Sequence, residues 1–83
     1  MNPPTTYHIS YYGRLADRCG LSEEVWPHAA ATPAELYAAL TARQPLGLAQ
    51  AALRVAVNDE FVAWDHPLRD GDRIALLPPM SGG

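Results

Sequence analysis

Residues 53–79, LRVAVNDEFVAWDHPLRDGDRIALLPP, hold the pattern that decides the fold. Val55 and Val57 mark a strand, Asn58-Asp59 is a two-residue turn signal, and Phe61-Val62 is a short returning strand. Asp70-Gly71 is a second turn, followed by a strongly apolar last strand at 73–78. Parity along that strand assigns Ile74 and Leu76 to one face and Ala75 and Leu77 to the other.

Upstream, TPAELYAALTARQPLG (32–47) predicts the main helix. Thr32 is a good N-cap, Pro33 suits the first helical position and Glu35 completes a Thr-x-x-Glu capping box. Leu36, Ala39, Leu40 and Arg43 follow helical spacing, with Leu36 and Leu40 as the core stripe, and QPLG supplies the stop. YHISYY (7–12) alternates as a strand, with Ile9 and Tyr11 on one face and His8, Ser10 and Tyr12 on the other. GRLADRCG (13–20) reads as a short helical turn or loop that carries Leu15 inward. SEEVWPH (22–28) is a second short strand, which Pro27 marks as an edge or a strand end. Residues 46–52 connect, with room for a further short turn.

The predicted order is strand, strand, helix, strand, short strand, strand: an α+β arrangement with a mixed sheet of four to five strands. One main helix covers only one face of that sheet. The other face then carries Tyr12 and Leu77, while Phe61 lies on a strand too short for parity alone to place. An apolar patch exposed on so small a domain marks a partner interface.

At 83 residues the chain is one domain. A hydrophobic share of 48% against 18% charged describes a globular chain, and the eight prolines and six glycines imply turns. A net charge of −3 offers no basic stripe for phosphates, which disfavours nucleic acid as a partner. All six cationic side chains are arginines, so no lysine is present to accept an isopeptide bond. Cys19 stands alone, which excludes a disulfide framework and a CxxC zinc motif and reads as a small core residue. No secretory leader pattern and no run of membrane-spanning length is present, so the cytoplasm is expected. Asp65, His66, Asp70 and Asp72 invite a metal reading, but the full calcium-loop pattern and its closing glutamate are missing. A turn with solvated carboxylates is the simpler account. No nucleophile stands beside a recognisable base, so no catalytic triad is assigned.

The block VNDEFVAWDHPLRDGDRIALLPPMSGG (57–83) resembles the ending of the ubiquitin-like sulfur carriers of β-grasp fold, the MoaD/ThiS family, in particular its molybdopterin synthase small subunits. An Asn turn, Asp-His-Pro-Leu, Asp-Gly-Asp and Pro-Pro-x-x-Gly-Gly carry the likeness, which extends from about Tyr7 to Gly83. Thiazole-pathway carriers share the fold and the diglycine but are typically shorter and lack the Pro-Pro.

The resemblance divides the chain into a loose leader at 1–6, a β-grasp domain at 7–78 and a functional tail at 79–83. It implies a sulfur carrier in molybdenum cofactor biosynthesis that is not catalytic alone. An E1-like adenylating enzyme would activate the Gly83 carboxylate with ATP, and a sulfur donor system would convert it to a thiocarboxylate. The sulfur would then pass to cyclic pyranopterin monophosphate in the active site of the molybdopterin synthase large subunit. Two large subunits are expected to form a central dimer with one small subunit at each end, a heterotetramer. Gly82 and Gly83 would be the reactive end, and Tyr12, Phe61, Leu77, Pro78, Pro79, Met80 and Ser81 would bind partners. Tyr12 stands where the family commonly has phenylalanine, and Leu77 also replaces an aromatic. No metal or cofactor bound by the chain itself is implied, nor any membrane. The tail alone is also compatible with a carrier for thiamine or tRNA thiolation, or with a ubiquitin-like protein modifier.

The residue types suit that chemistry independently. Glycine has no Cβ to obstruct attack at a carboxylate threaded into a narrow cleft, and Pro78-Pro79 favours extended geometry that limits the entropy lost on docking. Fully extended, residues 79–83 span about 15–18 Å, enough to cross a cleft wall.

Overall fold

A computed structural model describes residues 5–79. The predicted turns and strands of residues 53–79 form as β3 (Arg54–Val57), β4 (Glu60–Val62) and β5 (Arg73–Leu77). Asn58 and Asp59 both take left-handed backbone angles, φ 52° and 72°, as a tight two-residue hairpin requires; Asn and Asp tolerate this region better than most residues. Asn58 also staples the hairpin to β5: its Oδ1 accepts the Arg73 N–H at 3.0 Å, and its Nδ2 donates to Asp72 Oδ1 at 3.0 Å. β5 ends at Leu77, one residue short of the predicted strand, because Pro78 has no N–H to continue the ladder.

Toward the N-terminus come β1 (Tyr7–Tyr11), α1 (Arg14–Cys19), β2 (Glu23–Trp26) and α2 (Pro33–Arg43). GRLADRCG forms a true short helix, closed by Gly20, whose left-handed φ of 75° lets its N–H reach the Ala16 carbonyl at 2.9 Å. α2 begins as predicted. Thr32 is extended, its Oγ1 accepts the Glu35 N–H at 3.3 Å, and Pro33 occupies the first turn. It stops at Arg43, just before Pro45. The connection to β3 holds a 3-10 turn at Gln50–Ala52.

The sheet order is β2-β1-β5-β3-β4, with β1 and β5 parallel at the centre and every other pair antiparallel. This five-stranded mixed sheet with one main helix on one face is the ubiquitin-like β-grasp architecture. The core lies between α2 and the helix-facing residues of the sheet. Ile9, Leu15, Leu36, Leu40, Val55, Ile74 and Leu76 are all 1% exposed or less, and each contributes about 1.5–3 kcal/mol by leaving water.

Tyr37 joins that core, which the Leu36/Leu40 stripe alone does not anticipate. Its ring packs 5.8 Å from the half-buried Trp64, and its hydroxyl donates to the Leu48 carbonyl at 2.5 Å. The buried Tyr7 hydroxyl likewise donates to the Ala30 carbonyl at 2.9 Å. Each aromatic body is thus buried with its polar tip satisfied.

The loop 63–72 is mostly exposed yet tied down by hydrogen bonds. Ala34 N–H donates to the Trp64 carbonyl at 3.1 Å, and Leu68 N–H to that of Ala31 at 3.0 Å. Asp70 Oδ1 accepts the Thr6 N–H and Asp72 Oδ2 the Arg69 N–H, both at 2.8 Å. Those carboxylates hold backbone, and among the described residues no group of three or more His, Cys, Asp or Glu is placed to hold a metal ion. No helix among them is long and apolar enough to cross a membrane.

Candidate functional site

Among the described residues no element covers the face of the sheet opposite α2, and its side chains follow from parity and register. Ser10 pairs with Ala75, Ala75 with Ala56, and Ala56 with Phe61, so one row across four strands is small until it ends in an aromatic ring. The next row brings Arg54 opposite Leu77. Tyr12 follows Tyr11, which pairs with Leu76, so it flanks Leu77 from the β1 side. Tyr12 is 50% and Phe61 64% exposed, while Leu77 is half-buried. In a domain whose other aromatics are buried or half-buried, those two rings are the exception.

Leu77, Pro78 and Pro79 share a cleft of about 520 Å³ with Phe61, Arg54 and the 3-10 turn. Tyr12 does not line it; Tyr12 borders a neighbouring depression with Ser10, Glu23 and Ala75. The predicted interface residues therefore sit at one end of one face, Phe61 on one side of the β5 exit and Tyr12 on the other. Gly13 lies beside the exit: its φ is +54°, which strains other residues, and a Cβ there would stand 3.2 Å from Pro78 Cγ, a tight contact. Met80, Ser81, Gly82 and Gly83 lie outside the described residues.

Two features are missing from the expectations above. The first is Arg54, whose guanidinium lies over the Phe61 ring, 5.5 Å from its centroid. The signal for it is parity with Ala56, two residues on in β3. The second is a polar cluster on the helix side. Glu24 pairs with Ile9 across β1 and β2, so it points toward the core side. It receives both arms of Arg43, at 2.8 and 2.9 Å, and the Tyr11 hydroxyl at 2.5 Å, and Arg43 also lies 5.2 Å over the Trp26 ring.

The electrostatics of this cluster are those of a clamp. The Arg43 hydrogen bonds, opposed by partial burial, hold the Glu24 carboxyl below the usual carboxylate range. Burial, then the bond to Glu24, drives the Tyr11 hydroxyl up. Burial also pushes the half-buried Cys19 thiol up, which disfavours its thiolate. The cluster locks β1, β2 and the end of α2 together and holds no activated nucleophile. The exposed rings of Tyr12 and Phe61 lie on the other face.

Residues 9–83 match the ThiS family. The molybdopterin synthase sulfur carrier subunit of Escherichia coli K12 is 48% identical over 46 residues, a span of 55% of this chain and 57% of that protein. The match thus covers a little over half the length of that relative. Among solved structures, SAMP1 from Haloferax volcanii superposes with a TM-score of 0.78 at 25% identity, covering 94% of this chain and 99% of that one. The complex of subunits 1 and 2 of the molybdopterin-converting factor from Helicobacter pylori has a chain that superposes with a TM-score of 0.67 at 28% identity, again covering 94% and 99%.

Proposed function

The chain belongs to the ThiS family, and from that premise we propose that it carries sulfur for molybdenum cofactor biosynthesis on the α-carboxylate of Gly83. The observation that carries this reading is the coincidence of docking face and tail root. β5 runs directly from the core position Leu76, through Leu77 on the open face, into Pro78 and Pro79, between the exposed rings of Tyr12 and Phe61. A partner that grips those rings has the last residues within its own cleft. The Escherichia coli relative, named as a sulfur carrier of molybdopterin synthase, and the two-subunit Helicobacter pylori complex support the same partner class.

In this account the chain supplies one reacting group and a handle. The Gly83 carboxylate attacks the α-phosphorus of ATP in an adenylating partner and displaces pyrophosphate. Sulfide supplied by the donor system then attacks the acyl carbon and displaces AMP, leaving the thiocarboxylate. Docked in the large subunit, that sulfur attacks cyclic pyranopterin monophosphate to give a thioester, water cleaves its acyl C–S bond and returns Gly83 as a carboxylate, and two such deliveries build the dithiolene. The large subunit provides the groups that bind the pterin. Gly82 and Gly83 let the chain pass a narrow opening, and Pro78-Pro79 limits the conformations lost on entry.

A thiocarboxylated preparation mixed with a molybdopterin synthase large subunit should convert the precursor to molybdopterin. Deletion of Gly83 should abolish the conversion and leave the circular dichroism spectrum and the unfolding midpoint unchanged. Failure of the thiocarboxylate to convert the precursor would reassign the carrier to thiamine or tRNA thiolation. A second reading, a protein modifier, draws on the likeness to SAMP1, named for the small archaeal modifier proteins. Its signature is a stable amide between Gly83 and a lysine of another protein, detectable as adducts that survive thiol reductants.

A further inference from the structure

The geometry points to Arg54 as the residue that selects the docking partner: it is placed to receive a carboxylate side chain of the molybdopterin synthase large subunit at the edge of the Phe61–Leu77 cleft. This rests on the docking reading above and adds to it the chemistry of the partner surface.

Arg54 opens β3 on the uncovered face, opposite Leu77, with its guanidinium 5.5 Å from the Phe61 ring centroid. A contact between the guanidinium charge and the ring leaves N–H donors available to a further partner. No described residue engages them. Among the described residues the ion pairs are Arg43 with Glu24 and Arg73 with Asp59, and Arg54 makes neither an ion pair nor a hydrogen bond there. Arg73, on the neighbouring strand, has its carboxylate 3.5 Å away; Arg54 has none among the described residues.

A partner that closes over Tyr12, Leu77 and Phe61 removes water from Arg54 as well. A guanidinium buried without a counter-charge is strongly unfavourable, so a purely apolar partner surface is penalised and one bearing Asp or Glu at that point is favoured. Discrimination then works by rejection as much as by attraction. Because the guanidinium is already held near the ring, less side-chain entropy is left to lose when a carboxylate arrives. A phosphate-bearing polymer is a poor alternative occupant, since the chain is net negative at −3.

The test is the affinity of the full chain for the large subunit by titration calorimetry, from low to high salt, with unfolding midpoints as the control for folding. Arg54→Met, which keeps the apolar stem, should weaken binding about tenfold at low salt and flatten the salt dependence. Arg54→Glu should weaken it by roughly a hundredfold or more at low salt, and Arg54→Lys should fall between Met and wild type. Arg54→Glu binding as tightly as wild type, with the same salt dependence, would overturn the inference. So would tighter binding by Arg54→Met, which would assign Arg54 to the chain's own terminal carboxylate. A wild-type chain that does not bind the large subunit at all would instead overturn the docking reading, and this inference with it.

Discussion

Glu24 is a carboxylate on the inward parity of an edge strand, and what makes it tolerable there is the pair of hydrogen bonds from Arg43 and the one from Tyr11. Its folded-state pKa lies below that of the unfolded chain, so its contribution to stability is fully present above about pH 4.3 and is lost as pH falls through the lower folded value. Glu24→Gln should therefore cost about 1–2 kcal/mol near neutrality, and the gap to wild type should close in strong acid; urea titrations at the two pH values check this. The cluster is hard to read from sequence because its members are 13 and 19 residues apart and individually ordinary. One clue is present: Glu24 and Trp26 share a parity, so once Trp26 is placed inward the carboxylate needs a cation, and Arg43 closes the stripe begun by Leu36 and Leu40. Tyr37 is obscure for a different reason. Its hydroxyl suggests a surface position until the Leu48 carbonyl, in a loop without periodicity, is brought beneath it.

At the scale of elements, α2 is the part most fully written in local sequence. Thr32, Pro33 and Glu35 act within four residues of one another, and the helix starts where they predict. Thr32→Ala should lower stability by about 1 kcal/mol through the lost bond to the Glu35 N–H. Leu40→Ala, at a position with no exposed surface, should cost about 2–5 kcal/mol through the cavity it leaves. Chemical denaturation measures both, and a Leu40→Ala cost no larger than that of Thr32→Ala would contradict the placement of the core. The hairpin 58–59 and the turn at Asp70-Gly71 are legible for the same local reason, since Asn, Asp and Gly are the residues that left-handed turns select. Strand order is not legible in this way. The parallel pairing of β1 with β5 depends on contacts more than sixty residues apart, and only the family resemblance points to it.

Across the whole molecule the two sheet faces divide the work. The helix side carries the stability and the open face carries Tyr12, Phe61 and Leu77, two of which, Tyr12 and Leu77, are placed there by strand parity alone. Phe61 lies on a strand of three residues, too short for alternation to assign; its ring is exposed because Val62, not Phe61, pairs with the inward Val55. Phe61→Ala should thus leave stability within about 0.5 kcal/mol of wild type yet weaken large-subunit binding about tenfold or more, an inversion of the Leu40→Ala result. The claim on which the rest depends is chemical and concerns one carboxylate. Intact-protein mass spectrometry of the chain after co-expression with its adenylating enzyme and sulfur donor measures it directly. The account predicts a mass gain equal to the exchange of one oxygen for sulfur, localised to Gly83 by fragmentation; an unchanged mass in the presence of active partners would contradict it.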